Sequence, residues 1–398
     1  MKTNNIVLLS IIVLIVSFFY LTTKVNTINE GYDNDGMYYA SQVSNEGILS
    51  IVNPKTAPFC YRVFTPFIVS LTPLNTLDGF RFVAFISDCL NLFFLSQILL
   101  LLGFSYRYVL CGVAFFIGIF WTLKISFFSP CYVDYQVMLF ILMHLYFTLR
   151  KKYIVAILVS SLAIFQKDSL LFLPFVSMAY YYESNNRKFS RNFILISIVS
   201  IVIPISVFIY LRSVVDAVNS YSLSSTMVDN INILLNTENF GWKLSGELIS
   251  GLSLLSVFPF LYLMNYPINF NRVNLIWWVY LIFSFIFLFG GVDKARLLMY
   301  LILPIIILSL KLIINVQAKL EQETFILWLT LTFLLHFSLG NVLINFNDPA
   351  DYISKMVPIY FPEFKYAYHI LNIIFMLFYI ILTQFILQKS ATSADSNK

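Results

Sequence analysis

The chain has 398 residues, 59% hydrophobic, 18% aromatic and 11% charged, with mean hydropathy +0.82 and a formal net charge of +5. A soluble domain stays dissolved with about 25% charged residues, so these values exclude a water-soluble globular protein, and the modest positive balance reflects loop lysines and arginines rather than a nucleic-acid-binding surface. The expected class is an all-α, polytopic transmembrane helical bundle of about twelve spans at ~20 residues each.

In chain order, Lys2 precedes an apolar run over 6–21 with no small-x-small cleavage site behind it, which reads as an uncleaved first transmembrane helix. Apolar runs bounded by polar turns then place spans at 6–22, 82–103, 107–124, 127–148, 153–165, 169–182, 193–212, 248–266, 274–290, 297–316, 323–343 and 368–388. Such runs must be helical, because lipid offers the backbone no other partner. The runs 153–165 and 169–182 are short for a hydrocarbon core of ~30 Å and read as a thin hairpin packed inside the bundle. The run 63–77 carries Pro66 and Pro73 and reads as surface helices within a first extracytoplasmic loop, 23–81. With both termini cytoplasmic, Arg107, Arg150-Lys151-Lys152, Arg187-Lys188, Arg191, Arg272, Lys319 and Lys389 fall in cytoplasmic turns, as the positive-inside rule expects. Residues 1–389 then form a single transmembrane domain, and the polar stretch 390–398 reads as a disordered cytoplasmic tail.

The same topology gathers the other polar clusters on the outer face. They are the Asp33/Asp35 loop, Asp134, the Gln166-Lys167-Asp168 turn, the loop 213–247 with Glu238 and Glu247, Asp293-Lys294-Ala295-Arg296, and the loop 345–367 with Asp348 and Asp351. Charges beside lipid are costly unless they face a cavity or one another, so their gathering predicts one extracytoplasmic site. Asp33 and Asp35 point to one side if their segment is extended. One would accept a proton from an attacking hydroxyl while the other binds a divalent metal or orients the acceptor; the plainer alternative is a solvated Asp/Asn/Gly turn. Arg62, Lys167 and Arg296 are the donors a phosphate group needs. Interfacial snorkelling, or local ion pairs with Asp168 and Asp293, accounts for them equally.

Cys60, Cys89, Cys111 and Cys131 show no paired spacing, and only Cys60 falls in an expected loop. His144, His336 and His369 are far apart and read as packed helix residues rather than ligands. Trp277, Trp278 and Trp328 read as packing or interface anchors. There is no P-loop, G-x-G-x-x-G, H-E-x-x-H or G-x-S-x-G, so the energy for a reaction would come from an activated substrate such as a lipid phosphate.

The ordered landmarks resemble the GT-C superfamily of multi-pass membrane glycosyltransferases, loosely and over most of the chain. Asp35 with Tyr39 resembles the first-loop acid followed by tyrosine. Tyr61-Arg62 with Pro66 is similar to the basic-proline stretch of the surface helices, and Asp134 to the acid before the fourth helix. Lys167 with Pro174, and Arg296 with Pro304, resemble basic-to-proline patterns near the donor phosphate and in the later bundle. The resemblance implies an inverting enzyme that moves a sugar from a polyprenyl-phosphate donor to the hydroxyl of a glycan or lipid acceptor on the outer face, without a nucleotide, and the compactness of the chain points to a bacterial inner membrane. Asp35, with Asp33, would act as base; Arg62, Lys167 and Arg296 would hold the phosphate; Tyr39, Tyr61, Asp134, Asp168 and Asp293 would support them. Many relatives add a soluble outer domain that this sequence does not show, which leaves the acceptor open. A polysaccharide repeat-unit polymerase is the first alternative, and a transporter or flippase of lipid-linked sugars, which needs a polar mid-membrane path, the second.

Overall fold

A computed structural model describes residues 2–43, 57–215, 217, 228–229, 231–232, 248–249, 251–266, 275–287, 294–340, 342 and 362–395. Among them every regular element is helical. Among the described residues, five helices are long and apolar enough to cross a membrane: Asn5–Thr22, Thr76–Leu101, Arg191–Val214, Leu298–Gln317 and Gln322–Leu339. A sixth candidate is the broken pair Tyr106–Ile117 with Phe120–Phe128, and shorter apolar helices include Asp134–Leu149, Tyr153–Ile164, Leu275–Phe287 and Asn372–Gln388. This is a helical membrane protein.

The chain divides into two compact units. The first comprises Met1–Phe104, Thr122–Met227 and Val273–Gly290. Its elements are α1 (Lys2–Thr22), α2 (Asn34–Ala40), α3 (Phe64–Ser70), α4 (Thr76–Leu101), α6 (Ile125–Phe128), α7 (Asp134–Leu149), α8 (Tyr153–Ile164), α9 (Leu173–Ser184), α10 (Arg191–Val214) and the helix Leu275–Phe287; α5 (Tyr106–Ile117) belongs to the second unit. Helix α1 buries the stripe Leu8, Ile12, Val16 and Phe19, spaced to fall on one face, and exposes Ile6, Leu9, Leu14, Phe18 and Leu21. In α8 and α10 the pattern is inverted relative to a soluble helix. They bury small residues, Ala156, Ser160 and Ala163 in one and Ser197, Ser200 and Pro204 in the other, while Ile154, Leu158, Leu162, Ile198, Val202 and Ile209 face outward. Lipid tails are as apolar as leucine, so helices there gain most by close packing over small residues. Asn75 caps α4, its side chain accepting from Asp78 N at 2.9 Å.

In the second unit, Phe325, Trp328, Thr332, His336 and Leu339 form the buried stripe of the helix Gln322–Leu339. His336 Nε2 meets the Phe115 carbonyl at 2.8 Å, and Trp328 Nε1 donates to Thr383 Oγ1 at 3.1 Å. Gly118 lies directly under the His336 ring. Both His336 and His144 are packed helix residues, as expected; His144 Nδ1 lies 3.0 Å from the Ala156 carbonyl.

Several sequence expectations are corrected. The expected span 127–148 starts at Asp134, because Ser129 precedes Pro130 and leaves the helical region (φ −126, ψ 72). The expected span 107–124 is interrupted after Ile117, and 248–266 after the 3₁₀ turn Ser253–Ser256, where Ser253 has φ +54. The hairpin α8–α9 is not wholly inside its unit, because α8 keeps an exposed apolar face. Of the tail 390–398, residues 390–395 continue the helix Pro362–Asp395, whose last turns hold Ala391 and Ala394 and no glycine or proline, and 396–398 lie outside the described residues. Cys131 sits in a turn, not in a span.

Gly118→Ala should lower the thermal midpoint in detergent by an amount equivalent to about 1–3 kcal/mol, the usual range for forcing a methyl into a packed seam. A midpoint equal to that of wild type would show that the His336 ring yields without cost.

Candidate functional site

The site is built on the break between α6 and α7. The Phe128 carbonyl freed by that break accepts from Asn26 N at 2.8 Å and from Asn26 Nδ2 at 3.0 Å. Asn26 Nδ2 also donates to Ser129 Oγ at 2.8 Å, and the Ser129 hydroxyl donates to Asp33 Oδ2 at 2.8 Å. Asp33 is 5% exposed and adopts φ +62, a left-handed conformation that Asp tolerates better than most residues. The 33–35 segment is therefore not extended, as the sequence reading assumed. Asp33 turns toward Ser129 and the chain enters α2. Gly36 presses on the same turn: a Cβ there would stand 2.5 Å from Cys131 Cβ. Burial, and then the nearby Asp33 charge, push the Cys131 thiol pKa well up.

Asp35 and Tyr39 are one turn apart on α2 and so share a face. Arg62 Nη1 donates to Tyr39 Oη at 2.7 Å. Phe59 ties the two strands of the loop together: it stacks on Tyr38 at 4.5 Å, meets Tyr39 edge-on at 5.6 Å, and its carbonyl accepts from Gln42 Nε2 at 3.0 Å. Tyr39 is 1% exposed. Burial raises its phenol pKa, Arg62 opposes that rise, and Asp35 and then Asp134 add to it. The phenol stays protonated, and both carboxylates lie within electrostatic reach of it.

Asp134 opens α7 and pairs with Lys167, Nζ to Oδ1 3.2 Å, with both side chains more than nine-tenths buried. Next to this pair, Gln166 Nε2 donates to the Val133 carbonyl at 2.8 Å, and Gln166 Oε1 accepts from Thr65 Oγ1 at 2.8 Å. The Phe165 carbonyl accepts from Phe64 N at 3.0 Å, fixing the start of α3. Asp168, one residue on, pairs with Arg212 at the end of α10 at 2.7 Å, and the Arg212 guanidinium lies 3.6 Å from the Tyr61 ring centroid. Asp168 and Arg212 edge a cavity of ≈ 410 Å³ whose other walls are largely aromatic, with Phe172, Phe175, Phe208, Phe283 and Phe287.

Of the sequence candidates, Arg62 bonds Tyr39, Lys167 pairs with Asp134, Asp168 and Tyr61 both meet Arg212, and Asp33 bonds Ser129, all in the first unit, while Asp35 and Asp134 act on the Tyr39 phenol electrostatically. Arg296 is half-buried in the second unit. Asp293, Glu238, Glu247, Asp348 and Asp351 lie outside the described residues. No group of three or more His, Cys, Asp or Glu that would hold a metal occurs among the described residues. The sequence reading missed Arg212, which it took as the end of a span, and Ser129, Cys131 and Asn26. A basic residue in the last turn of a long apolar helix was the signal for Arg212; the others carried none. Chemically, the set offers carboxylates near a protonated phenol, two buried or stacked cations and an adjoining apolar cavity.

Gly36→Ala should lift α2 off the turn and expose Cys131, now 1% exposed, to a maleimide reagent in detergent; labelling no faster than in wild type would rule out this docking. Lys167→Met alone should cost about 3–5 kcal/mol, because it leaves Asp134 without the buried ammonium, and adding Asp134→Leu should recover most of that loss. Thermal midpoints of the two singles and the double check the cycle. Comparison of the chain with protein-family models, with curated proteins and with solved structures finds no match.

Proposed function

We propose that the protein is a membrane glycosyltransferase that moves a sugar from a polyprenyl-phosphate donor to an acceptor hydroxyl on the extracytoplasmic face, a reading in keeping with the GT-C-like order of its landmarks. The observation that carries it is the Arg62–Tyr39 bond, whose phenol feels the charges of Asp35 and Asp134, together with the buried Asp134–Lys167 pair one residue from Asp168 at the edge of an aromatic cavity. In this reading Asp35 takes the proton of the attacking hydroxyl as it adds to the anomeric carbon. The bond from that carbon to the phosphate oxygen breaks, and the leaving polyprenyl phosphate departs with the electron pair. Arg62 and Lys167 stabilise the charge that develops on the phosphate. The apolar cavity receives hydrocarbon of the donor, with Arg212 and Asp168 at its polar side. Asp33, bonded to Ser129, positions the loop that carries Asp35.

The test uses the full-length protein in proteoliposomes, supplied with polyprenyl-phosphate-linked glucose, mannose or galactose and a membrane glycan extract, and measures release of polyprenyl phosphate. Asp35→Asn should lower release by about 10²–10⁴-fold, the usual worth of a general base, with an unchanged thermal midpoint. Full release by a folded Asp35→Asn protein would remove Asp35 as base and, with it, this mechanism.

A further inference from the structure

Two turns at one end of the first unit gather exposed cations: Arg150, Lys151 and Lys152 between α7 and α8, and Arg187, Lys188 and Arg191 between α9 and the start of α10. Aromatic residues lace the two turns into one surface. Tyr180 Oη donates to the Leu149 carbonyl at 3.2 Å, the Tyr153 and Tyr181 rings meet edge-on at 4.6 Å, and Tyr181 stacks on Phe193 at 5.7 Å. Lys151 and Arg187 both have φ +58, a conformation that helix ends usually give to glycine. Lys152 and Arg191 stand at the starts of α8 and α10, where the helix dipole opposes positive charge, and neither first turn holds an acid. The acid nearest in sequence, Glu183, accepts from Leu275 N at 3.1 Å. Neither ion pair found among the described residues includes any of these cations.

Arg191 opens α10 and Arg212 lies in its last turn, about 30 Å away along the axis, which is roughly the thickness of a hydrocarbon core. The basic surface thus stands at the opposite end of α10 from the Asp168–Arg212 pair. Starting from the same turns, α8 and α10 pack against each other and turn Ile154, Leu158, Ile194 and Ile198 outward. Phe189, beside Lys188, is 71% exposed. Positive-inside sorting needs only a number of cations at one end. It does not need two turns held together, or an aromatic ring projecting among the charges. A soluble polyanion would meet the cations and gain nothing from Phe189 or the helix faces. A phospholipid meets both, its phosphate taking the charged donors and its chains lying along the apolar faces. A zwitterionic headgroup would bring its own ammonium against these cations with no acid to receive it, so the surface selects net negative charge. We infer that the α7–α8 and α9–α10 turns bind the headgroup of an anionic phospholipid whose acyl chains lie along α8 and α10. The site is separate from the proposed transfer reaction, and its test needs neither donor nor acceptor.

The experiment titrates the purified full-length protein in detergent with phosphatidylglycerol, or with phosphatidylcholine of the same chains, and counts bound lipid by native mass spectrometry. Phosphatidylglycerol should bind about tenfold more tightly. Lys151→Gln with Lys152→Gln should cut that preference to about two- to threefold. Arg187→Gln with Lys188→Gln should do the same, so the inference stays testable if one pair does not fold. Arg107→Gln with Lys319→Gln removes equal charge from the second unit and should leave the preference unchanged. Glycerophosphoglycerol, the same headgroup without chains, should not displace the lipid at equal concentration. Equal affinity for the two lipids, an equal loss in the second-unit variant, or displacement by the chainless headgroup would each overturn the inference, the last in favour of a surface for soluble anions.

Discussion

The first unit depends on one constraint: the helix is broken between Phe128 and Asp134, and lipid supplies no partner for the backbone groups the break sets loose. The protein has to satisfy them from its own loops. Asn26 comes from the segment after α1 to take the Phe128 carbonyl, while Gln166, at the end of α8, adds a bond to the Val133 carbonyl that already accepts from Gln136 N and Val137 N at the start of α7. Both carriers bring neighbours with them. Asn26 is followed by the turn that carries Asp33 and then α2 with Asp35 and Tyr39, while Gln166 is followed at once by Lys167 and Asp168. Residues 101 apart, Thr65 and Gln166, meet for the same reason. Closing the break through Asn26 thus brings the loop with Asp33, Asp35 and Tyr39 to the turn before α7.

Electrostatics then sorts the acids that arrive. Asp134 is stabilised twice, by the buried Lys167 ammonium and by its place in the first turn of α7, where the helix dipole favours negative charge. Asp168 holds Arg212 at an edge that is about a fifth to a quarter exposed, where screening makes the pair worth little for stability and useful mainly for aiming the guanidinium at Tyr61. Asp33 is bound to Ser129 and anchors the loop. Asp35 shares its face of α2 with a phenol that burial keeps protonated. These carboxylates stand in different environments, which is the arrangement from which different chemical roles follow.

The membrane class and most helices were legible because they rest on apolar runs alone, and Asp134 at the head of a helix was legible because an acid before such a run has few other places to go. The break at 129–133 was harder to see. Phe127, Phe128, Cys131, Tyr132 and Val133 are apolar enough to pass as a span, and only Pro130 argued otherwise. Once that turn was read as helix, Cys131 became a span residue and Gly36 lost its partner. The assumption of an extended 33–35 segment failed for a related reason. Which way a short polar loop turns is decided by what it docks on, here Ser129, almost a hundred residues away in the chain. Arg212 shows in the sequence only as a basic residue closing a long apolar run, the usual place of a snorkelling cation.

The first unit also buries a polar seam between α4 and α7, around Asp88, and this seam and the loop cluster share the first turn of α7. Asp134, Tyr135 and Gln136 are consecutive, and consecutive helical residues diverge by about 100° around the axis. Asp134 reaches Lys167 and the loop cluster, whereas Gln136 bonds Ser87 and the Tyr135 carbonyl accepts from Asn91 on α4. Whatever sets the spacing of α4 and α7 around Asp88 also sets the height and rotation of Asp134, because a helical turn held by its own backbone bonds moves as a piece.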